Sequence, residues 1–187
     1  MQEFSERIKP APSEGQRIRL ALSEVATSTY GIEHVRVDTA KEFAEVTKDF
    51  ERQLGQYDPA VFQAFRAAPP QADDARARIE AMIGPSGLVL FGTTDHGGLV
   101  SLFEMTKKQA IQYVVGNPLI AIRMTRHNLA AGLYAPLRVL IYEADGKTHL
   151  EYDKPSSVLG QFNDDRISSV AAMLDRKLED LVAKAVG

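Results

Sequence analysis

Apolar residues recur at helical spacing in two parts of the chain, and this pattern predicts two amphipathic helices. The first is predicted over residues 39–54, where Thr39 and Glu42 have the spacing of a capping box and Gly55 is placed to end the helix. The second is predicted over residues 164–186. The expected buried stripes are Phe43, Val46, Phe50 and Leu54 in the first helix, and Ile167, Val170, Leu174, Leu178 and Leu181 in the second.

Alternating or continuous apolar runs predict the strands. They lie in "GIEHVRVD", "GLVLFGTTD" and "QAIQYVVGN", and a weaker alternation in "QRIRLALSEV" indicates an edge strand. Residues 135–153 predict a hairpin that turns at Asp145-Gly146 and carries Leu137, Val139 and Ile141 on one face. This order of elements predicts an α+β fold with a mainly antiparallel sheet.

The predicted domain organisation is a loose arm over residues 1–30 followed by one α+β domain over residues 31–187. Residues 56–85 are rich in Ala, Pro and charge, and they are expected to form a helical insertion. Two short helices are predicted there, over 59–67 and 72–83, on either side of Pro69-Pro70.

Composition removes several classes of function. The 187 residues are 44% hydrophobic and carry a net charge of −3, so no basic face is expected and nucleic acid is a poor partner. There is no cysteine, which excludes disulfides and thiolate chemistry. No apolar run approaches the roughly 18 residues of a membrane span. A cytoplasmic protein is the expectation, and no motif indicates a metal or a particular cofactor.

The stretch "FGTTDHGGL" places Asp95 and His96 at the end of a predicted strand. His96 is a candidate catalytic or ligand-binding residue, oriented by the neighbouring carboxylate. Alternatively, Asp95 binds backbone N–H groups in an Asx-type turn and His96 is half exposed. Gly97-Gly98 favours a turn in both cases.

A second set of candidates lies in "NPLIAIRMTRHNLAAG". Asn117 and Pro118 predict a helix start, which is either an anion site or an ordinary cap. If 118–130 is helical, Arg123 and His127 share one face. They then form an anion site, or His127 acts as a general acid or base. Alternatively, both are solvated side chains and Leu129 is turned inward. Tyr152 either donates its phenol to a ligand in a pocket or points outward on the hairpin.

The segments "TTDHG", "VVGNPLIA" and "APLRVLIYEADGKTHLEYDKPS" resemble the bacterial family known as domain of unknown function 302. The resemblance covers residues 31–162, with departures at Thr94, at Ala135 and in the 56–85 segment. It implies one curved antiparallel sheet with helices on one face, in the β-α-β-β-β-β-α order of the TATA-binding-protein class. It also implies a homodimer, and it implies no activity.

Three hypotheses of function follow. The first is a small-molecule-binding or sensing module, whose cavity under the sheet holds an apolar or anionic ligand near residues 92–98 and 116–127. The second is an enzyme that uses His96 as a general acid or base. The third is a structural protein that docks a partner through residues 56–85.

Overall fold

The computed structural model describes residues 17–20 and 23–187. They belong to two units, residues 1–31 and residues 32–187. The strands are β1 (Arg17–Leu20), β2 (Ser23–Ala26), β3 (His34–Thr39), β4 (Gly55–Gln56), β5 (Val89–Asp95), β6 (Ala110–Gly116), β7 (Leu137–Ala144) and β8 (Lys147–Asp153). The α-helices are α1 (Phe43–Arg52), α2 (Pro59–Ala67), α3 (Ala72–Glu80), α4 (His96–Glu104), α5 (Pro118–Thr125), α6 (Pro155–Leu159) and α7 (Asp165–Val186), with 3₁₀ helices at Leu129–Tyr134 and Gly160–Phe162.

The second unit is built on one six-stranded sheet in the order β3-β8-β7-β6-β5-β4. All neighbouring strands are antiparallel except β4 and β5, which are parallel. The α+β prediction with one mainly antiparallel sheet is confirmed. The β-α-β-β-β-β-α order is not confirmed, because β4 and further helices interrupt it.

The weak alternation in "QRIRLALSEV" does form strands, but they do not join the large sheet. β1 pairs only with β2, in a two-stranded antiparallel sheet of their own. The predicted edge strand is therefore wrong as a part of the main sheet, because a partner strand follows after two residues. Residues 1–16 of the predicted arm lie outside the described residues.

Helices α1 and α7 cover one face of the sheet, which we call the helical face. Both predicted stripes are buried. The α1 stripe and the second half of the α7 stripe, Leu178 and Leu181, pack against sheet residues that have no exposed surface. The first half of the α7 stripe packs in a second cluster with Ile120 and Met124 of α5. Burial of a large apolar side chain contributes about 1.5–3 kcal/mol, so this layer is the main source of stability. The sheet residues at its centre are Tyr113, Val139, Ile141 and Leu150.

The start of α1 differs from the prediction. Thr39 is still part of β3, where it pairs with Thr148, and its hydroxyl accepts a hydrogen bond from Lys41 N. Glu42 is the N-cap residue, and α1 begins at Phe43. The predicted capping box is wrong because pairing with β8 holds Thr39 in extended backbone.

Gly55 also has a different role from the predicted one. It lies in β4, after the helix has ended, and a Cβ there would collide with the backbone of Met82 and Gly84. Close approach of two backbone segments therefore explains this glycine better than a helix end does.

The hairpin prediction is confirmed. β7 and β8 pair up to Ala144↔Lys147, and both turn residues have positive φ angles, 53° at Asp145 and 70° at Gly146. Such angles are those of a type I′ turn.

Helix α4 was not predicted. Its second and third residues are Gly97 and Gly98, which disfavour a helix by about 1 kcal/mol each relative to alanine. Asp95 nevertheless caps it, because one of its carboxylate oxygens accepts a hydrogen bond from Gly98 N at 2.7 Å.

Helix α5 begins as predicted and ends earlier. Asn117 is its N-cap and Pro118 its first residue, but the helix stops at Thr125. Asn128 then caps the following 3₁₀ helix through Ala130 N. His127 therefore lies outside α5, and Leu129 is exposed instead of buried.

Candidate functional site

An apolar pocket lies at the end of β6, between the sheet and helices α2, α5 and α7. Its volume is about 220 Å³, and we call it the apolar pocket. Nearly all of its lining is aliphatic or aromatic, which is the usual character of small-molecule sites. The lining residues include Tyr57, Phe62, Phe91, Ala121 and Met124.

The inserted segment builds one wall of this pocket. The Tyr57 ring centroid lies 5.0 Å from that of Phe91 on β5 and 5.4 Å from that of Phe62 on α2. Helix α2 has its predicted bounds, and α3 begins as predicted and ends three residues before its predicted end. These tilted ring contacts join the insertion to the sheet through a small apolar cluster.

Asn117 lies at the edge of the apolar pocket, and both ends of its side-chain amide make hydrogen bonds with the backbone. Its Oδ1 accepts hydrogen bonds from Leu119 N and Ile120 N, and its Nδ2 donates to Gly87 O at 2.9 Å. The amide therefore fastens the loop before β5 to the start of α5, which favours the cap over an anion site. Tyr57 also lines the pocket, and its hydroxyl makes no hydrogen bond within the described part of the chain.

The face of the sheet opposite the helical face carries polar side chains, and we call it the open face. A groove of about 440 Å³ runs between this face and α4, and we call it the α4 groove. Leu140 and Gln112 form part of its floor. His96 and Val100 of α4 line its side, so the groove combines an imidazole with apolar surface.

The local structure at His96 explains its exposure. It is the first residue of α4, and its side chain has no hydrogen-bond or ion-pair partner among the described residues. The neighbouring Asp95 is committed to capping. The carboxylate does not orient the imidazole, so the arrangement favours the turn-like role for Asp95. A ligand role for His96 stays a prediction.

Beyond the groove, the open face carries a hydrogen-bonded network that sequence reasoning missed. Tyr142 donates to Glu151 Oε1 at 2.6 Å, and both residues also line the α4 groove. His34 lies with Nε2 3.3 Å from Glu151 Oε2 and with Nδ1 3.0 Å from Asp153 Oδ1. Strand alternation could have revealed this set, since the residues share one face of paired strands.

The network continues towards the turn end of β8. His149 is almost fully buried under the Tyr142 ring, with centroids 4.8 Å apart. Its Nδ1 lies 2.7 Å from Asp38 Oδ1 and 2.9 Å from an Arg36 nitrogen, while Nε2 lies 2.9 Å from Ala144 O. All of these groups are paired, which is typical of a structural network as well as of a site.

The hydrogen bonds of this network raise the pKa values of His34 and Tyr142 and lower the pKa of Glu151. The bond to Asp153, followed by the contacts with Glu151, raises the pKa of His34 above 6.5. The Tyr142 hydroxyl and then His34 lower the pKa of Glu151. The bond to Glu151 raises the pKa of Tyr142. Glu151 is thus held as a carboxylate that faces the α4 groove.

The remaining predicted site residues are not brought together. Arg123 is exposed on α5 and contacts Met173 Sδ at 3.7 Å, while His127 is exposed beyond the helix end. The shared helix face predicted for this pair is wrong, because α5 ends at Thr125.

Tyr152 lies on the helical face and is 5% exposed, so the outward alternative is wrong. Burial, followed by the charges of Glu179 and Asp175, raises its pKa.

Two kinds of feature are not found among residues 17–20 and 23–187. No group of three or more His, Asp or Glu side chains there could hold a metal ion. No helix in that part is long and apolar enough to cross a membrane.

The fold and these two concave surfaces define an α+β protein with one helical face and one polar open face. The chain belongs to the family described as domain of unknown function DUF302, whose model matches residues 66–185. It is similar in structure to an uncharacterized conserved protein DUF302 from Bacillus stearothermophilus, a crystal structure with 17% sequence identity and a TM-score of 0.58. The likeness covers 81% of this chain and 97% of that chain, and it shows the fold alone. No curated protein matches the sequence.

Proposed function

We propose that this chain is a small-molecule-binding module and that the apolar pocket is its binding site. The observation that carries the proposal is the aromatic wall of Tyr57, Phe62 and Phe91 around a cavity of about 220 Å³. For comparison, an engineered apolar cavity of roughly 150 Å³ binds benzene. The pocket is therefore large enough for an aromatic ring with a small substituent.

The lining also limits the ligand's chemistry. No charged side chain lines the pocket, so burial of a charged group there would cost far more than the apolar contacts contribute. The Tyr57 hydroxyl offers one hydrogen bond. We therefore propose a neutral ligand with an apolar body and at most one or two polar atoms, and the anionic alternative is not favoured at this site.

A thermal-shift titration with small neutral aromatics, such as indole and phenol, tests the proposal. A ligand at 100 times its Kd stabilises a protein by about 2.7 kcal/mol, which for a chain of this size raises Tm by roughly 5–10 °C. The variant Ala121→Leu fills the pocket and should abolish the shift. Ala64→Leu is the matched control, because Ala64 is exposed on α2 and outside the pocket. Equal shifts in both variants would contradict the proposal.

A second candidate function is acid–base catalysis in the α4 groove. It is supported by the position of His96 on one side of the groove and the Tyr142–Glu151 pair on the other. A general base must reach the proton it removes, and both groups face the same space. Turnover of any substrate that survives Ala121→Leu but is lost in His96→Ala would favour this function over binding in the apolar pocket.

We also propose that two copies pair through the outer edge of β3, which among the described residues has β8 as its one neighbour in the main sheet. Light scattering at micromolar concentration should then give twice the monomer mass, and a mass near 20.6 kDa would contradict pairing. The cytoplasmic location stays a prediction, which cell fractionation can test.

A further inference from the structure

His149 is a titratable side chain that the fold buries almost completely, with 1% of its surface exposed. The Tyr142 ring packs against it, and Asp38 and Arg36 reach it from the neighbouring strand β3. Because water is excluded, both ring nitrogens must find their hydrogen-bond partners within the protein. The chemistry of those partners therefore determines which nitrogen carries a proton.

The partner of Nε2 fixes the tautomer of the neutral ring. Nε2 lies 2.9 Å from the backbone oxygen of Ala144. A carbonyl oxygen only accepts hydrogen bonds, so Nε2 must carry a proton and donate it. In neutral His149 the other nitrogen, Nδ1, is then unprotonated, and any proton that the ring takes up must go to Nδ1.

Nδ1 has two partners with opposite requirements. It lies 2.7 Å from Asp38 Oδ1 and 2.9 Å from Arg36 Nη2. A guanidinium only donates and a carboxylate only accepts. Unprotonated Nδ1 can accept from Arg36 but turns a lone pair towards Asp38, whereas protonated Nδ1 can donate to Asp38 but faces an N–H group of Arg36. Each protonation state of His149 thus satisfies one partner and not the other.

Arg36 has a second carboxylate within reach. Its Nε donates to Asp38 Oδ1 at 2.8 Å and lies 3.7 Å from Glu151 Oε1, which is beyond hydrogen-bond distance. The arginine side chain is 47% exposed, so a small movement towards Glu151 meets little steric resistance. Glu151 accepts the hydrogen bond of Tyr142 and lines the α4 groove. The position of Arg36 therefore changes the charge at that groove.

The other ionisable groups near the ring lie on β7 and β8. Tyr142 of β7 covers the ring and donates its proton to Glu151. Lys147 and Glu151 flank His149 on the same face of β8, two residues away in either direction. Their charges are opposite in sign, so their effects on a proton at Nδ1 oppose each other. The contacts that distinguish the two protonation states are those with Asp38 and Arg36.

We propose that His149 is a pH-dependent switch that moves Arg36 between two partners. When the ring is neutral, Nδ1 accepts a hydrogen bond from Arg36. When Nδ1 takes up a proton, it donates to Asp38 and repels the guanidinium, which then pairs with Glu151 at the α4 groove. A consequence for catalysis in that groove rests on the second candidate function proposed above, whereas the switch itself requires no substrate.

An NMR titration of the full chain with ¹⁵N-labelled histidine reports the protonation of each ring nitrogen. Nε2 should carry a proton throughout, and Nδ1 should gain one as the pH falls. Arg36→Gln removes a positive charge beside Nδ1, so the titration of His149 should move to higher pH by about one unit. Asp38→Asn removes the carboxylate that receives the proton, so the titration should move to lower pH by about the same amount.

Two variants serve as matched controls, because each removes one charge of the same sign far from the ring. Arg138→Gln changes an exposed residue four positions before Tyr142 on β7, and Asp180→Asn changes an exposed residue of α7. Neither should move the titration of His149. Equal shifts in the controls and in the Arg36 and Asp38 variants would show a general effect of net charge and would contradict the switch.

The carboxyl carbon of Glu151 reports the movement of Arg36. The measurement uses His34→Gln, which removes the other histidine in contact with Glu151. In that chain the ¹³C signal of Glu151 should shift over the pH range in which His149 titrates, and the shift should disappear when Arg36→Gln is added.

Three results would overturn the proposal. The first is a neutral ring with its proton on Nδ1. The second is the absence of any titration of His149 over the pH range in which the chain stays folded. The third is a Glu151 signal in His34→Gln that does not follow the protonation of His149, which would show that Arg36 stays in place.

Discussion

Replacement of Gly97 by alanine tests how α4 is attached to the sheet. A Cβ at this position would lie 2.7 Å from Lys108 O and 2.9 Å from Gln109 C, and it would also collide with Ala110 N. These are backbone atoms next to β6, so no side-chain rotation can relieve the contact. Overpacking costs about 1–3 kcal/mol, and contacts this close with backbone atoms place Gly97→Ala in the upper part of that range, at about 2–3 kcal/mol. The gain in helix propensity from Gly to Ala offsets about 1 kcal/mol of this cost.

The net loss for Gly97→Ala should therefore be about 1–2 kcal/mol, which lowers Tm by roughly 3–6 °C in a chain of this size. Hydrogen exchange gives a local measure, because the Lys108 amide donates to Ser101 and should lose protection when α4 shifts. Gly92→Ala is the control, since nothing lies within 4 Å of its Cβ position. A variant as stable as the parent, with the Lys108 amide still protected, would refute the reasoning.

Three further predictions concern single side chains. Asp95→Ala should lower the free energy of unfolding by about 0.5–2 kcal/mol because it removes the cap of α4, whereas His96→Ala should leave it nearly unchanged. Urea denaturation of both variants measures the difference, and equal losses of stability would contradict the prediction. Gly146→Val should lower Tm because φ is 70° there, and an unchanged Tm would argue against the type I′ turn. By NMR titration the pKa of His34 should lie above 6.5 and fall in Asp153→Asn, which removes the largest cause of the shift. Because the pKa of His34 is raised in the folded state, its contribution to stability is present below pH 6.5 and is lost as the pH rises through the folded pKa. A His34 pKa of 6.5 or lower would contradict the pairing with Asp153.

Periodicity identified the elements that depend on burial. The sequence predicted the apolar stripes of α1 and α7 and the alternation in β7 because each of these elements has one face in the core. Packing in the core selects apolar residues at the period of the element. The turn at Asp145-Gly146 was readable for a local reason, since positive φ angles at two adjacent positions favour these residues.

Helix α4 shows where such reasoning fails. Its apolar residues face outward and its inner side is glycine and serine, so the usual link between apolar residues and burial is reversed. The end of α5 was misjudged for a related reason, because Asn128 caps a new helix where the apolar pattern continues. In both cases a capping hydrogen bond, which has no periodicity, determines the boundary.

The sequence by itself determined the α+β class, the main helices and strands, and the position of Asp95-His96 at a strand end, because these depend on local backbone preferences and on one-sided burial. Only the tertiary structure decided which side chains share a surface. Pairing of β3 with β8 joins His34 to Asp153, more than one hundred residues later in the chain, and the packing of α2 against β5 forms one wall of the apolar pocket. Such long-range contacts depend on strand order and register, and no single segment of the sequence contains that information.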